Sequence, residues 1–445
     1  MKLGTAARNA TAGFLFLQAL VFFSSNSAFA VPSFARQTGL TCAACHVGFP
    51  ELTPFGRMFK LNGYTMKSAN APKWLPLAVM IQASVTSTRN TTGVADSFPR
   101  DGDLVAQQAS LFYAGRITDK TGAFVQWTYD GVAHHSNLDN TDLRYADKYA
   151  GKGTDLIYGF TLNNNPTSQD VWNSTPAFGY PYAASGVANG PAAATLIDGG
   201  LGQQVAGLGA YAYWNKTLYG ELSAYRTANQ IFSVFRAGQD TATSGGVAAL
   251  DGYNPYWRLA LTREWGPHSV MAGTYGMVAD VYPDNLNPSG PTDRFRDIAF
   301  DAQYQYLTEP HSFTAQATWI HEKTDWNASY PAGGVDNPSS SLNTFRANAT
   351  YYYQRKYGAT LSYFSTTGDT DATRWSPAAV TGSASGSPDS SGYIMEADYL
   401  PLQNVKLALQ YTAYQKFNGA STNYDGYGRN ASDNNTTYLL GWFMF

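Results

Sequence analysis

Residues 294–323 read RFRDIAFDAQYQYLTEPHSFTAQATWIHEK, and apolar and polar side chains alternate along two stretches of this run. In 298–306 the apolar residues alternate with Asp and Gln, and in 311–320 they alternate with Ser, Thr and Gln. A period of two places the apolar residues on one face of a strand. The short turn at Glu309-Pro310 makes the two strands neighbours in an antiparallel sheet. A β-barrel and a β-sandwich both show this alternation, so by itself it predicts only an all-β fold.

The connections between the strands separate these two folds. The pattern continues from Pro76 to the last residue and predicts strands near 76–89, 102–116, 121–130, 142–150, 154–162, 201–214, 217–227, 254–263, 268–280, 294–307, 311–323, 342–354, 357–367, 391–400, 405–417 and 434–445. Turns of two to four residues alternate strictly with long loops rich in Gly, Asn, Ser and Pro. Outer-membrane barrels place short turns on one rim and long loops on the other. We therefore predict an all-β transmembrane antiparallel β-barrel of about sixteen strands, with both barrel ends on the periplasmic, short-turn rim.

The composition agrees with a membrane barrel. The chain has 31 Tyr, 24 Phe and 10 Trp, but only 14% of its residues are charged. Soluble domains carry about 25% charged residues, whereas a membrane barrel needs aromatic girdles and an apolar outer band. The net charge of −3 indicates no nucleic-acid partner. The last six residues, LGWFMF, resemble the C-terminal strand signal of Gram-negative outer-membrane proteins.

The start of the chain has the layout of a secretory signal. A basic beginning precedes an apolar run at 12–23, and residues 28–30 (Ala-Phe-Ala) form a small-x-small cleavage site. The predicted division is a signal peptide at 1–30, an N-terminal arm at 31–75 and the barrel at 76–445. The predicted location is the cell outer membrane.

The longest predicted loop runs from about Asn163 to Gly200 and is the third long one. Such a loop can fold into the lumen and narrow it, as in general porins, or it can lie outside the barrel. The sequence leaves both arrangements open.

The two cysteines of the chain lie in one motif, Cys42-Ala43-Ala44-Cys45-His46. This spacing is that of c-type haem attachment, in which two thiols on one helical turn form thioethers and the histidine coordinates the iron. A structural zinc site needs four ligands, and a thioredoxin-like pair needs a βαβ setting. The motif therefore predicts one covalent haem c, with Cys42 and Cys45 as the attachment points and His46 as the proximal iron ligand.

The sequence leaves the identity of the second axial ligand of the haem iron undecided. Met58 and Met66 follow the motif closely, and a thioether ligand raises the reduction potential of a haem. His134 and His135 could instead reach the iron from the barrel. We expect Met58 or Met66 to be the distal ligand and keep the histidine pair as the alternative.

The arm is too short to enclose a haem by itself, because chains of this length are near the lower limit for independent folding. We therefore expect it to fold back as a small plug, entering the barrel from the rim of short turns and packing its haem against the lumen.

Four runs in the arm carry a family resemblance: FARQTG at 34–39, CAACH at 42–46, FPELTPFGR at 49–57 and FKLNGY at 59–64. Together they resemble the fused outer-membrane monohaem cytochrome c–porins, which include the iron oxidases of iron-oxidising bacteria. The resemblance is close over about thirty residues of the arm, and the barrel agrees only in architecture. It places the thioethers at Cys42 and Cys45, the proximal ligand at His46 and the haem-packing segment at 50–64.

By this resemblance the chain is an oxidoreductase that takes single electrons from an extracellular donor, Fe(II), through one haem to a periplasmic c-type cytochrome or other carrier. Outer-sphere transfer needs no acid–base pair or nucleophile, and we identify no catalytic residues of that kind. The alternative is a diffusion porin whose haem-bearing plug is structural or sensory. The first reading predicts a largely occluded lumen and the second an open one.

Overall fold

The computed structural model describes residues 32–69, 75–91, 101–239 and 248–445. The predicted signal peptide at 1–30 lies outside the described residues. The arm contains three short helices, α1 (Ser33–Thr38), α2 (Cys42–Cys45) and α3 (Pro54–Leu61). The strands are β1 (Leu77–Thr88), β2 (Leu104–Arg116), β3 (Thr121–Asp130), β4 (His135–Gly151), β5 (Thr154–Asn163), β6 (Val205–Trp214), β7 (Leu218–Thr227), β8 (Ala249–Leu250), β9 (Asn254–Trp265), β10 (His268–Tyr282), β11 (Asp293–Leu307), β12 (His311–Asp325), β13 (Ser339–Tyr353), β14 (Tyr357–Gly368), β15 (Ser390–Leu402), β16 (Val405–Lys416) and β17 (Thr436–Met444).

The sheet closes on itself. Each long strand pairs antiparallel with its neighbours in sequence, and β1 pairs with both β2 and β17. The two-residue strand β8 pairs only with the far end of β10, while β7 pairs directly with β9. The wall is therefore a closed antiparallel barrel of sixteen strands, which confirms the predicted fold class. Closure leaves no unpaired edge, which is the condition for a sheet to lie in lipid.

The alternation seen in the sequence sorts side chains between lipid and lumen. On β12, Trp319 points outward and is 38% exposed, whereas Gln316 points inward and is 5% exposed. Leu409 on β16 is likewise outward, at 51% exposure. Apolar side chains can cover the outside because lipid replaces water there, and the polar inner face is satisfied within the lumen. Across the part of the chain that the structure describes, none of the helices is long and apolar enough to span a bilayer.

The links on one rim are all short, but the alternation of link lengths is not strict. The turns after β2, β4, β6, β9, β11, β13 and β15 contain two to four residues, as predicted. On the opposite rim, the predicted long loop after β3 is a turn of only four residues, because β4 begins at His135 instead of near residue 142. Asn and Asp residues in 137–142 hid this part of the strand, since both residue types are rare in strands.

The arm and the third long loop both lie inside the barrel. The arm contacts inward-facing residues near the short turns, among them Gln305 at the end of β11 and Thr314 at the start of β12. The loop between β5 and β6 is buried almost without interruption from Asn163 to Thr175. Of the two arrangements left open by the sequence, the luminal one is observed.

Candidate cofactor site

Helix α2 brings the whole Cys-x-x-Cys-His motif to one cavity. It is a single turn that begins after the extended residue Thr41 and is closed by the hydrogen bond from His46 N to Cys42 O, 2.9 Å. Cys42 and Cys45 are half-buried and form no disulfide. Both cysteines and His46 line the same cavity. The three residues that the sequence singled out are therefore together in space.

The imidazole of His46 is oriented by the backbone of the turn that follows it. Its Nδ1 lies 3.1 Å from the carbonyl oxygen of Pro50, so Nδ1–H is the donor and Nε2 keeps its lone pair. A metal-ligating histidine commonly gives its other ring N–H to a carbonyl in this way. Burial lowers the pKa of His46, which favours the neutral imidazole that a metal requires.

Helix α3 supports α2 through a very close backbone approach at Gly56. A Cβ added to Gly56 would lie 2.3 Å from the carbonyl oxygen of Cys45. Thr53 secures the same junction: its Oγ1 donates to Ala44 O at 2.7 Å and accepts from Gly56 N at 3.2 Å, capping α3. Glycine at this position is thus needed for the two helices to pack.

The cavity has a volume of about 450 Å³, within the usual range for cofactor and ligand sites. It lies between the arm, the luminal loop and the wall formed by β17, β1, β2, β3 and β4. Apolar side chains dominate its lining outside the motif: Phe34, Phe49, Leu52, Phe59, Met80, Phe112, Phe124, Phe178, Trp442 and Met444. Two thiols, one imidazole with a free Nε2 and an apolar enclosure together fit one c-type haem.

Burial keeps the two thiols of the motif in their protonated form. Burial raises the pKa of Cys45 to about 11 and also raises the pKa of Cys42. Thiols act as metal ligands and as exchange nucleophiles in the thiolate form. The free thiols therefore stay protonated near neutral pH, which disfavours thiolate metal binding and disulfide exchange.

The candidates for the second axial ligand lie elsewhere. Met58 packs against the cluster around Leu61 on the other side of α3, and the backbone of Met66 accepts a hydrogen bond from Gln37. Neither methionine lines the cavity. His134 and His135 are exposed at the opposite rim, where His134 Nδ1 lies 3.4 Å from Tyr129 Oη.

Arg57 joins the arm to one side of the barrel wall. Its guanidinium is buried and donates to Gln303 and Gln305 at 3.0 and 2.7 Å, to Ser269 at 2.7 Å, and to Glu264 at 3.3 Å. A planar, forked donor suits several fixed acceptors at once. The sequence resemblance included Arg57, but its role could not be read without the three strands that supply its partners.

Lys60 joins the arm to the luminal loop. Its ammonium group donates to the carbonyl oxygens of Ser168 and Asp170, each at 2.7 Å, and lies 4.8 Å from the centre of the Phe178 ring. Burial, followed by the charge of Arg144, lowers the pKa of Lys60 to about 8. The ammonium group of Lys60 therefore holds the loop over the cavity, although burial makes it easier to deprotonate than an exposed lysine.

The luminal loop is also tied to the wall. Arg258 pairs with Asp301 at 2.8 Å and with Asp170 of the loop at 3.0 Å, and all three side chains are fully buried. Gln316 donates to the backbone carbonyls of Trp172 and Asn173, at 2.9 and 3.0 Å. Buried charges persist only when paired in this way. The loop thus forms a fixed wall of the cavity inside the barrel.

Outer-membrane porins are among the solved structures similar to this one. OmpF of Salmonella typhi, solved as a complex with daunomycin, gives a TM-score of 0.46 at 14% identity, covering 83% of this chain and 97% of that one. An anion-selective porin from Comamonas acidovorans gives 0.44 at 14% identity, with 83% and 98% covered. OmpT of Vibrio cholerae lacking loop L8 gives 0.45 at 12% identity, with 83% and 98% covered.

The likeness at these identities concerns the fold alone. No family profile matches this chain, and no curated protein matches it.

Proposed function

We propose that this chain is an outer-membrane cytochrome c–porin fusion that passes single electrons from an extracellular donor, Fe(II), to a periplasmic electron carrier. The observation that carries the proposal is the convergence of Cys42, Cys45 and His46 on one apolar cavity inside the barrel. When bound there, a haem c supplies a one-electron iron couple whose potential is set by its axial ligands and surroundings.

The residues of the chain have distinct tasks in this proposal. Cys42 and Cys45 hold the cofactor, and His46 presents Nε2 while its Nδ1–H is held by Pro50. Phe34, Phe49 and the other apolar residues exclude water from the cavity. Arg57 and Lys60 hold the arm against the wall and the loop. No proton has to be transferred by a side chain in this proposal.

Haem attachment is tested by expressing the chain in a host that matures c-type cytochromes and staining denatured protein for covalent haem. The wild-type chain should stain, and the Cys42→Ala/Cys45→Ala variant should not, although its barrel should still insert because the strands satisfy their own hydrogen bonds. Staining of the double variant would refute thioether attachment at these positions.

Electron transfer is tested anaerobically by mixing the oxidised protein with Fe(II) and following the α-band, at acidic and at neutral pH. Reduction by Fe(II), followed by reoxidation with a periplasmic c-type cytochrome, is the expected result. If the band never forms with Fe(II) but does form with a chemical reductant, Fe(II) is not the donor and a haem-bearing barrel with another donor remains.

A diffusion porin with a structural or sensory haem-bearing plug is the second candidate, and the porin-like barrel favours it. The two are distinguished by conductance in planar bilayers. The occlusion of the lumen by the arm and the loop predicts a conductance far below that of an open sixteen-stranded channel. An open-channel conductance in the intact protein would favour the diffusion porin.

A further inference from the structure

Two methionines of the barrel wall share the cavity with the haem-attachment motif. Met80 on β1 and Met444 on β17 both line the cavity that Cys42, Cys45 and His46 line. Met80 is 3% exposed and belongs to the apolar cluster that includes Phe49 and Trp442. The sequence did not single them out, because each reads as an ordinary strand residue at one end of the barrel.

The two thioethers are neighbours across the strand pair that closes the barrel. Met80 and Met444 are direct partners in the antiparallel register. The adjoining pair, Val79 and Phe445, exchanges both backbone hydrogen bonds, at 2.9 and 2.8 Å. Hydrogen-bonded and non-hydrogen-bonded pairs alternate in such a ladder, and side chains lie closer in the latter. Met80 and Met444 are therefore a close cross-strand pair, and both residues line the cavity.

Other strong iron ligands on the cavity lining are already engaged. Among the described residues that line it, His46 is the only histidine. Lys60 Nζ donates to two carbonyl oxygens, and Tyr64 Oη donates to Asp142 at 2.6 Å. Met80 Sδ accepts only a weak contact from Gln82 Nε2, at 4.0 Å, among the hydrogen bonds of the described residues. A thioether can thus offer its lone pair without breaking a strong hydrogen bond.

We propose that the second axial ligand of the haem is a thioether of this pair, Met80 or Met444, supplied by the barrel wall at its closing seam. This inference rests on the proposed function, because it requires a haem on Cys42 and Cys45. Methionine side chains are unbranched and adaptable, so either sulfur can approach from a fixed strand. The same seam then holds the barrel closed and completes the coordination of the iron.

The test uses Met80→Leu, Met444→Leu and the double variant, with Met58→Leu and Met66→Leu as matched controls. Leucine conserves volume closely enough for the wall to fold. Three measurements are made on each purified protein: covalent haem content, the thioether-to-iron charge-transfer band of the oxidised state, and the reduction potential. A thioether ligand raises the potential, so its loss should shift the potential downward.

We expect the wild-type protein and both controls to show the charge-transfer band, and the double variant to lose it while keeping full haem content. Whichever single variant loses the band identifies the ligand. A band that persists in the double variant, is lost in a control or is absent from the wild-type protein would overturn the assignment while leaving haem attachment intact. A wild-type protein without covalent haem would instead overturn the proposed function, and this inference with it.

Discussion

Glu51 gives the sharpest prediction about the arm, because its carboxyl group is completely buried between the arm and the wall. Oε1 accepts hydrogen bonds from Thr314 Oγ1 and, at 3.2 Å, from Gln305 Nε2. Among the described residues Oε2 has no hydrogen-bond partner. Burial raises the pKa of Glu51 to about 7 from its usual 4.5, against the opposing effect of these two donors. The docked arm therefore prefers the protonated acid.

The direction of the pH effect follows from proton binding. Between pH 4.5 and 7 the docked state keeps a proton on Glu51 that the undocked state has lost, so docking weakens as the pH rises. A difference of about 2.5 pKa units corresponds to roughly 3 kcal/mol, since one unit is about 1.36 kcal/mol. Below pH 4.5 docking no longer depends on the titration of Glu51, because its carboxyl group is protonated in both the docked and the undocked state.

Native-state proteolysis of the arm, followed from pH 4.5 to 8 in detergent, measures this docking equilibrium. Burial also lowers the pKa of His46, which favours docking as the pH rises and acts in both the wild type and Glu51→Gln. Relative to Glu51→Gln, the wild-type arm should therefore become roughly a hundredfold easier to cleave across the range, as expected for about 3 kcal/mol. The control is Glu264→Gln, since Glu264 is 46% exposed and pairs with Arg57 at the rim. Equal pH profiles in wild type and Glu51→Gln would refute the reasoning.

Three further perturbations probe the lipid face, the junction of the helices and the loop anchor. Leu409→Lys places a charge on the lipid-facing side of β16 and should cost about 2–4 kcal/mol of barrel stability in denaturant titrations, if the residue lies near the midplane; Tyr427→Lys, in an exposed loop, should cost little. Gly56→Ala forces a Cβ into the carbonyl of Cys45 and should weaken the docking of the arm by about 1–3 kcal/mol, measured by the same proteolysis. The haem content of this variant should also fall. Unchanged proteolysis and haem content would mean that close packing of α2 and α3 is not required. Lys60→Met removes both hydrogen bonds to the luminal loop and should raise single-channel conductance, whereas an unchanged conductance would show that the loop is held by the wall alone.

Most of the barrel could be predicted from the sequence, because lipid outside and polar lumen inside impose a period of two on every strand. The pattern is weakest where a strand carries residues that strands usually avoid. The stretch 137–142 contains two Asn and two Asp, and the early start of β4 was missed for that reason. In the structure, the pairing of β4 with β3 extends back to His135 and includes most of this stretch.

The attachment motif could be predicted because its residues are adjacent in sequence, but the rest of the cavity could not. Met58 follows the motif closely, yet its position on α3 turns it toward Leu61 and away from the cavity. Met80 and Met444 lie 364 positions apart in the numbering and meet only when the barrel closes. Gln316 would pass for a tolerant luminal residue until its two hydrogen bonds to the loop are seen.

The anchoring of the arm bears on how such a chain can be recombined. Arg57 takes its acceptors from β9, β10 and β11, Glu51 depends on β11 and β12, and Tyr64 bonds to Asp142 on β4. At Gly48 the arm passes so close to the ring of Tyr352 on β13 that a Cβ at this position would clash with the ring. An arm grafted onto a barrel that lacks these partners would carry buried charges and donors without acceptors. The arm can therefore be exchanged between barrels only together with the strands that hold it, although it occupies a small part of the chain.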